Sequence, residues 1–217
     1  INMGCPAPKI VKNKEGSALM KNLSLAEEII KACVNATEKP ITVKFRLGYD
    51  DKNINAVEFA KMCERAGASA ITVHGRTKEQ GYSGVADYEN IAKVKQAVKI
   101  PVIANGDITS VGTLEHCQNV TNADGFMIGR GALGKPYLFK ELSLRADVTA
   151  TSAQIWDIIC KHIENLKEKN AFNYNEFKKH LAWYISGKKG SNNLKKEIML
   201  LSCDEALTKA KEFLVEN

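Results

Sequence analysis

Four short β-rich runs recur at near-constant spacing, and that rhythm constrains the fold more than any other feature of the sequence. They are Ile41–Phe45 (ITVKF), Ala70–Val73 (AITV), Pro101–Ala104 (PVIA) and Gly125–Ile128 (GFMI). Lys44 lies 30 residues before His74, His74 lies 31 before Asn105, and Asn105 lies 24 before Gly129. Stretches of helical period fill the gaps. Ala56, Phe59, Ala60 and Cys63 recur at i, i+3, i+4, i+7; Ile91, Val94 and Val98 mark a second face; Leu25, Ile29, Ile30 and Val34 mark one ahead of the first run. Strand, helix, strand at this spacing is a parallel βα repeat whose sheet is covered on both faces, so its strands are expected to be apolar throughout rather than alternating. An open doubly wound sheet and a (β/α)8 barrel share this grammar, and spacing alone does not choose between them.

The chain opens on Ile1-Asn2 followed at once by a turn signal, Gly4, Pro6 and Pro8, so these two residues read as the end of a strand. With that remnant there are about five strand ends, fewer than the eight of a barrel. The expectation is the C-terminal part of a longer protein, lacking three strands and most of a fourth. After Thr151 no β-run follows. Ile155, Ile158, Ile159, His162 and Ile163 form one helical stripe, Phe177, Leu181 and Tyr184 another, and Leu194, Ile198 and Leu201 a third. The predicted organisation is an α/β portion over residues 1–148 and an all-helical domain over 149–217, with Ala146–Thr151 as linker.

Composition excludes several classes. At 44% hydrophobic and 26% charged the chain can fill a core. Its longest apolar stretches are far too short to span a bilayer, so no membrane role is expected. Six cysteines (5, 33, 63, 117, 160 and 203) stand singly, without C-x-x-C or close Cys/His spacing. That argues against a metal site and a disulfide scaffold, and suits a reducing, cytoplasmic setting. A net charge of +6 is compatible with an anionic partner without requiring one.

In parallel βα folds, function collects at the C-terminal ends of strands. The polar residues standing there are Asn2 to Cys5, Lys44 and Arg46, His74-Gly75-Arg76, Asn105-Gly106-Asp107, and Gly129-Arg130-Gly131. The chain has 26 lysines and five arginines, yet Arg46, Arg76 and Arg130 all fall at strand ends. A guanidinium offers a planar fork to phosphate or carboxylate that lysine does not reproduce, although a structural ion pair accounts for any one arginine equally well. Gly129-Arg130-Gly131 offers backbone N–H groups and a cation to one phosphate. Asn105-Gly106-Asp107 offers a flexible turn with two side chains able to grip hydroxyls; an ordinary βα turn has the same composition. Lys44 within an apolar strand is a costly charge unless it reaches a ligand. His74 reads equally as a ligand donor or as a satisfied core histidine. Cys5, in a turn rather than on a helix face, is the one cysteine placed to act as acid or nucleophile. Between Glu176 and Glu197 there is no acidic residue, while Lys178, Lys179, Lys188, Lys189, Lys195 and Lys196 interleave with Trp183 and Tyr184. That is the pattern a nucleic-acid backbone calls for, and also that of a solvated lysine face.

Taken in order, NMGCP (2–6), KIVKNKEGSALM (9–20), TVKFRLGYD (42–50), TVHGRT (72–77), VIANGDI (102–108), MIGRGALGKPY (127–137) and HLAWYISGKKGSNNLKKEI (180–198) resemble the tRNA-dihydrouridine synthases, a bacterial branch of them most closely. The resemblance implies a partial TIM (β/α)8 barrel lacking its first strands, followed by a small helical tRNA-binding domain. It implies FMN at the strand ends, NADPH as electron donor, and reduction of a uridine C5–C6 double bond in tRNA. Carried over by motif, Cys5 is the general acid that protonates C5 after hydride reaches C6. Asn2 and Arg76 are uracil contacts. Lys44 and His74 stand beside flavin and base, with Lys44, His74 and Arg76 stabilising the negative charge of the reaction. Asn105, Gly106, Asp107, Gly129 and Arg130 hold the ribityl and phosphate end of the cofactor. A barrel short of strands leaves edges open, so weak FMN binding by this chain and self-association are further expectations. Two rivals share parts of the pattern: an FMN barrel oxidoreductase acting on a small pyrimidine, and a tRNA-binding protein without catalysis.

Overall fold

In the computed structural model, which describes residues 1–216, each β-rich run gives a strand and each helical stripe a helix, with Val98 and Leu201 falling just beyond the ends of theirs. The order is α1 (Pro8–Lys12), a 3-10 turn (Gly16–Lys21), α2 (Leu23–Ala36), β1 (Thr42–Arg46), α3 (Ala56–Arg65), β2 (Ala70–His74), α4 (Tyr88–Ala97), β3 (Val102–Asn105), α5 (Val111–Thr121) and β4 (Gly125–Met127). The strands form a parallel sheet in the order β1-β2-β3-β4, so the fold is α/β. Asn2 extends it by a parallel bridge to Lys44, with Met3 N–H donating to Lys44 C=O (2.7 Å) and Lys44 N–H to Ile1 C=O (2.9 Å). The opening residues are therefore strand-like, as the turn signal after them suggested.

Helix starts follow local chemistry. The Asn22 side chain accepts from Leu25 N–H and Asp87 from Asn90 N–H, while Ser110 and Thr113 form a capping box at α5.

The register sorts the side chains. Val43, Phe45, Ile71, Val73, Val102 and Ala104 point to one face and are buried; Phe45 packs on Phe59 of α3 with ring centroids 4.9 Å apart. The opposite face carries Lys44, Thr72 and Ile103 in one row and Arg46, His74 and Asn105 in the next. The expectation of uniformly apolar strands is corrected here: the strands alternate, and the second face is polar because it carries the candidate site.

The described residues divide into two units, Ile1–Arg130 and a second that begins at Gly131. The second contains α6 (Leu138–Leu144), α7 (Ser152–Glu168), α8 (Tyr174–Tyr184), α9 (Ser191–Ile198), α10 (Cys203–Lys211) and a π-helical turn (Glu212–Glu216). Its core joins Ile155, Ile159 and Ile163 of α7 to Phe177 and Leu181 of α8, Leu194 and Ile198 of α9, and Ala206 and Ala210 of α10. The division falls 18 residues before the 148/149 boundary expected from sequence. One physical reason is Gly134: at φ +72° its backbone lies so close to Trp183 of α8 that an added Cβ would overlap the Trp183 carbonyl. That contact ties the stretch before α6 to the helices that follow. Among the described residues, no helix is long and apolar enough to cross a membrane, and no cluster of three His, Cys, Asp or Glu is placed to hold a metal ion.

Candidate active site

The site is the polar face of the sheet in the first unit, and its first wall is the turn that carries Cys5. Asn2 Oδ1 accepts from Gly4 N–H (3.0 Å) and Cys5 N–H (3.1 Å), so one side-chain oxygen shapes the turn and leaves the Asn2 amide NH2 facing outward. Behind the turn, Ser17 donates to Cys5 C=O through both its N–H (3.1 Å) and its hydroxyl (2.9 Å). Cys5 is half-buried and lines an open cleft of about 750 Å³ with Pro6, Ala7, Pro8, Lys78, Glu79, Gly81 and Tyr82.

The opposite wall is the loop between β2 and α4, and two buried arginines hold it. Arg46 donates from Nε to Gly4 C=O (2.9 Å) and from Nη1 to Thr77 C=O (2.9 Å) and Gly81 C=O (2.8 Å). One guanidinium thus spans the cleft, fastening the Cys5 turn to the loop that carries Tyr82. Arg76, 2% exposed, donates from Nε to Ser83 C=O (3.0 Å) and from Nη2 to Gly84 C=O (2.7 Å). It also pairs bidentately with Asp107 at 2.9 and 2.7 Å.

Asp107 is saturated as well. Beyond Arg76, its carboxylate accepts from Ala86 N–H (2.8 Å) and from Arg130 Nη2 (3.3 Å). Burial pushes its pKa up, but the Arg76 hydrogen bonds, the Ala86 N–H and the charges of Arg76 and Arg130 outweigh that and hold the carboxyl below its ordinary value. Sequence reasoning assigned Arg76 to the uracil and Asp107 to cofactor hydroxyls. In this structure the two groups are engaged with each other and with the loop main chain. Gly106, at φ +133°, lies against Ala86, where a Cβ would stand 2.7 Å from the Ala86 Cβ, so its place is set by packing.

Three groups on the face remain available. Lys44 is half-buried with no carboxylate paired to it among the described residues; burial, then the charge of Arg46, lowers its pKa. His74 is 6% exposed, and its pKa is pushed down to about 3 by burial first and then by the charges of Arg46, Lys44 and Arg76, against an opposing pull from Asp107. The imidazole is therefore neutral at physiological pH and offers one N–H and one lone pair. Asn105 donates Nδ2 to Met127 C=O (2.8 Å), joining the ends of β3 and β4 and leaving Oδ1 as an acceptor. At the end of β4, Gly129 has open space where a Cβ would stand. The exposed Arg130 guanidinium lies 4.6 Å from the Tyr82 ring centroid.

Tyr82 is the residue sequence reasoning missed. Its ring lies 6.3 Å from that of His74, 5.7 Å from the Arg46 guanidinium and 4.6 Å from that of Arg130, and it lines the cleft with Cys5. Its only sequence signal was an aromatic residue between Gly81 and Gly84 in a loop leaving a polar strand end.

Comparison with known proteins follows the same lines. The profile of the family described as "Dihydrouridine synthase (Dus)" matches residues 1–216. A protein of Rickettsia bellii named "Probable tRNA-dihydrouridine synthase" is 42% identical over 213 residues, covering 93% of this chain and 64% of that protein. "Probable tRNA-dihydrouridine synthase 1" of Synechocystis sp. is 42% identical over 225 residues, covering 97% of this chain and 63% of that protein. "tRNA-dihydrouridine synthase B" of Pseudomonas aeruginosa is 38% identical over 224 residues, covering 100% and 68% respectively. The chain thus spans a little under two thirds of the length of the first two relatives.

Proposed function

The chain belongs to the dihydrouridine synthase family, and on that footing we propose that it carries the catalytic cysteine and the tRNA-binding helices of an enzyme that reduces uridines in tRNA to 5,6-dihydrouridine, with FMN as cofactor, NADPH as electron donor and a (β/α)8 barrel as the complete catalytic fold. The observation that carries the reading is the half-buried, unpaired Lys44 beside a neutral His74, on the same sheet face as the Asn2 turn that presents Cys5.

The residues fit a flavin. A half-buried ammonium without a carboxylate is stabilised by an electron-rich ring edge that accepts hydrogen bonds. Asn105 Oδ1 suits a ribityl hydroxyl, and the open backbone at Gly129 with the exposed Arg130 suits a phosphate. When bound, the reduced flavin supplies the electron pair that saturates the uracil C5–C6 bond.

The chain's own groups do the rest. Asn2 offers its amide NH2 to a uracil carbonyl, since its oxygen is held in the turn. Lys44 stabilises the negative charge that spreads onto the pyrimidine oxygens, and His74 donates a hydrogen bond without carrying charge. Cys5 gives its thiol proton to C5, completing the addition, and Asn2 and Ser17 hold it by its main chain. Arg46, Arg76 and Asp107 fix the loop that brings Tyr82 to the cleft.

The target base must leave its stack to reach such a cleft, which calls for a second surface that grips RNA. The helical unit supplies a candidate. Trp183 is 38% exposed, and lysines 178, 179, 188, 189, 195 and 196 surround it in sequence. The six unpaired thiols suit a reducing compartment such as the cytoplasm. The described residues supply four parallel strands with a parallel bridge at Asn2 beside β1, fewer than the eight strands of a closed barrel, so FMN binding by this chain alone is expected to be weak.

The test is mass-spectrometric measurement of dihydrouridine after the full-length parent, FMN and NADPH are incubated with unmodified tRNA, and of free pyrimidines offered in parallel. Product on tRNA alone supports the reading. Reduction of free pyrimidines with none on tRNA replaces it with a small-molecule oxidoreductase.

A further inference from the structure

We propose that Lys21, Tyr49 and Lys78 form a phosphate subsite at the rim of the Cys5 cleft, which takes a phosphodiester of the RNA whose base enters that cleft. The proposal rests on the tRNA reading above.

Two ammonium groups share one aromatic ring. Lys21 Nζ lies 3.4 Å and Lys78 Nζ 4.6 Å from the Tyr49 ring centroid. Main-chain hydrogen bonds bring the loops that carry these residues together. Lys78 N–H donates to Gly48 C=O (2.9 Å) and Glu79 N–H to Tyr49 C=O (3.0 Å), which locks the loop after β2 against the loop after β1. Lys21 follows Met20, whose carbonyl accepts from Asn55 Nδ2 at 2.8 Å.

Like charges held together repel, and no carboxylate pairs with either lysine among the described residues. Of the nearby acids, Asp50 and Asp51 are engaged elsewhere, and Glu79, which lines the cleft, makes no ion pair with either lysine among the described residues. Asp50 Oδ1 accepts from Lys52 N–H and Asn53 Nδ2, and feels Lys21 only at longer range; Asp51 Oδ1 accepts from the Thr77 hydroxyl; Glu79 is exposed. An anion that meets both ammonium groups at this rim relieves the repulsion, and the shared Tyr49 ring keeps the two donors close to one another. Lys78 also lines the cleft with Cys5, which puts the subsite next to the reacting base rather than on a distant surface.

The same chemistry would accept a phosphate of the dinucleotide donor, so the test separates the two sources. Binding of unmodified tRNA to this chain is titrated across salt concentrations for the parent, Lys21→Gln/Lys78→Gln and the exposed control Lys52→Gln. Loss of one phosphate contact lowers the slope of log K against log salt by roughly 0.7–0.9 in the double variant, with the control unchanged. A parent that binds with a salt-dependent slope that the double variant keeps overturns the subsite and leaves the tRNA reading standing. A parent that does not bind tRNA overturns both. If the full-length double variant keeps its tRNA slope but needs more NADPH to reduce its flavin, the phosphate is the donor's and the RNA assignment is overturned.

Discussion

Replacing Arg46 tests whether one guanidinium sets the width of the cleft. In the native chain it is 3% exposed and donates three hydrogen bonds, to Gly4, Thr77 and Gly81 carbonyls at 2.8–2.9 Å. A hydrogen bond from a charged donor contributes about 1.5–3 kcal/mol, and a buried carbonyl left without a partner costs about 1–3 kcal/mol. Gly81 lies where water can replace the donor, while Gly4 and Thr77 do not, so Arg46→Ala is expected to cost on the order of 3–6 kcal/mol. Arg46→Lys keeps the charge, but a single ammonium does not span both walls, and it is expected to cost about half as much. That is a large share of the roughly 5–15 kcal/mol by which a domain is stable. Urea unfolding of the parent and both variants gives the stability change. The rate of Cys5 alkylation, read by peptide mapping under conditions where all three remain folded, reports the cleft. Faster alkylation of Cys5 in Arg46→Lys, with the other cysteines unchanged, is the expected result. A lysine variant within 0.5 kcal/mol of the parent and with an unchanged Cys5 rate would refute the clamp.

Other outcomes follow from the same geometry. The His74 pKa falls from its ordinary value to about 3 on folding, so the unfolded chain takes up a proton that the native chain refuses. Stability from this group is complete above the unfolded pKa and declines as the pH falls toward 3, by up to about 1.4 kcal/mol per pH unit; urea titrations at pH 7 and pH 5 should show a shallower decline in His74→Asn, and equal declines would contradict the assignment. Gly106→Ala forces a Cβ against Ala86 at positive φ and is expected to lower the melting temperature by several degrees, an effect that Gly129→Ala, facing open space, should not share. Burial pushes the Cys63 thiol up to about 12 and raises that of Cys117, so brief alkylation at neutral pH should leave these two last among the six. Among the described residues no strand pairs with the outer edge of β4, which exposes Met127, so light scattering should show the chain associating as its concentration rises, and Met127→Lys should lessen it.

The βα grammar was legible because strand spacing and helical period are local, and the helical stripes of the second unit were legible for the same reason. The polar face was legible too, in the alternation Val43-Lys44-Phe45-Arg46 and Ile71-Thr72-Val73-His74, yet it was read as apolar strands interrupted by single odd residues. Period two needs only one more step to say that the odd residues share a face. Site residues were found where a strand end announced them. What they do was less accessible, because Arg76 and Asp107, 31 residues apart, form a pair that only the register of β2 and β3 brings together. No local signal says that His74 is neutral; burial first, and then the charges of Arg46, Lys44 and Arg76 that the fold brings beside it, make it so. Tyr82 lay in a loop whose path is set by the carbonyls that Arg46 and Arg76 hold, and no local signal specifies that path. The boundary between the units moved for a similar reason, since Gly134 and Trp183 meet across 49 residues.

The account turns on Cys5 as the proton donor in reduction of a tRNA uridine. Full-length parent and Cys5→Ala, each with FMN and NADPH, should be compared for dihydrouridine in unmodified tRNA by fragment mass spectrometry, with tRNA affinity measured alongside. The account predicts dihydrouridine at a defined position for the parent, loss of most of it in Cys5→Ala, and equal affinity in the two. Equal product from the variant would contradict it and return the acid to another group on the cleft.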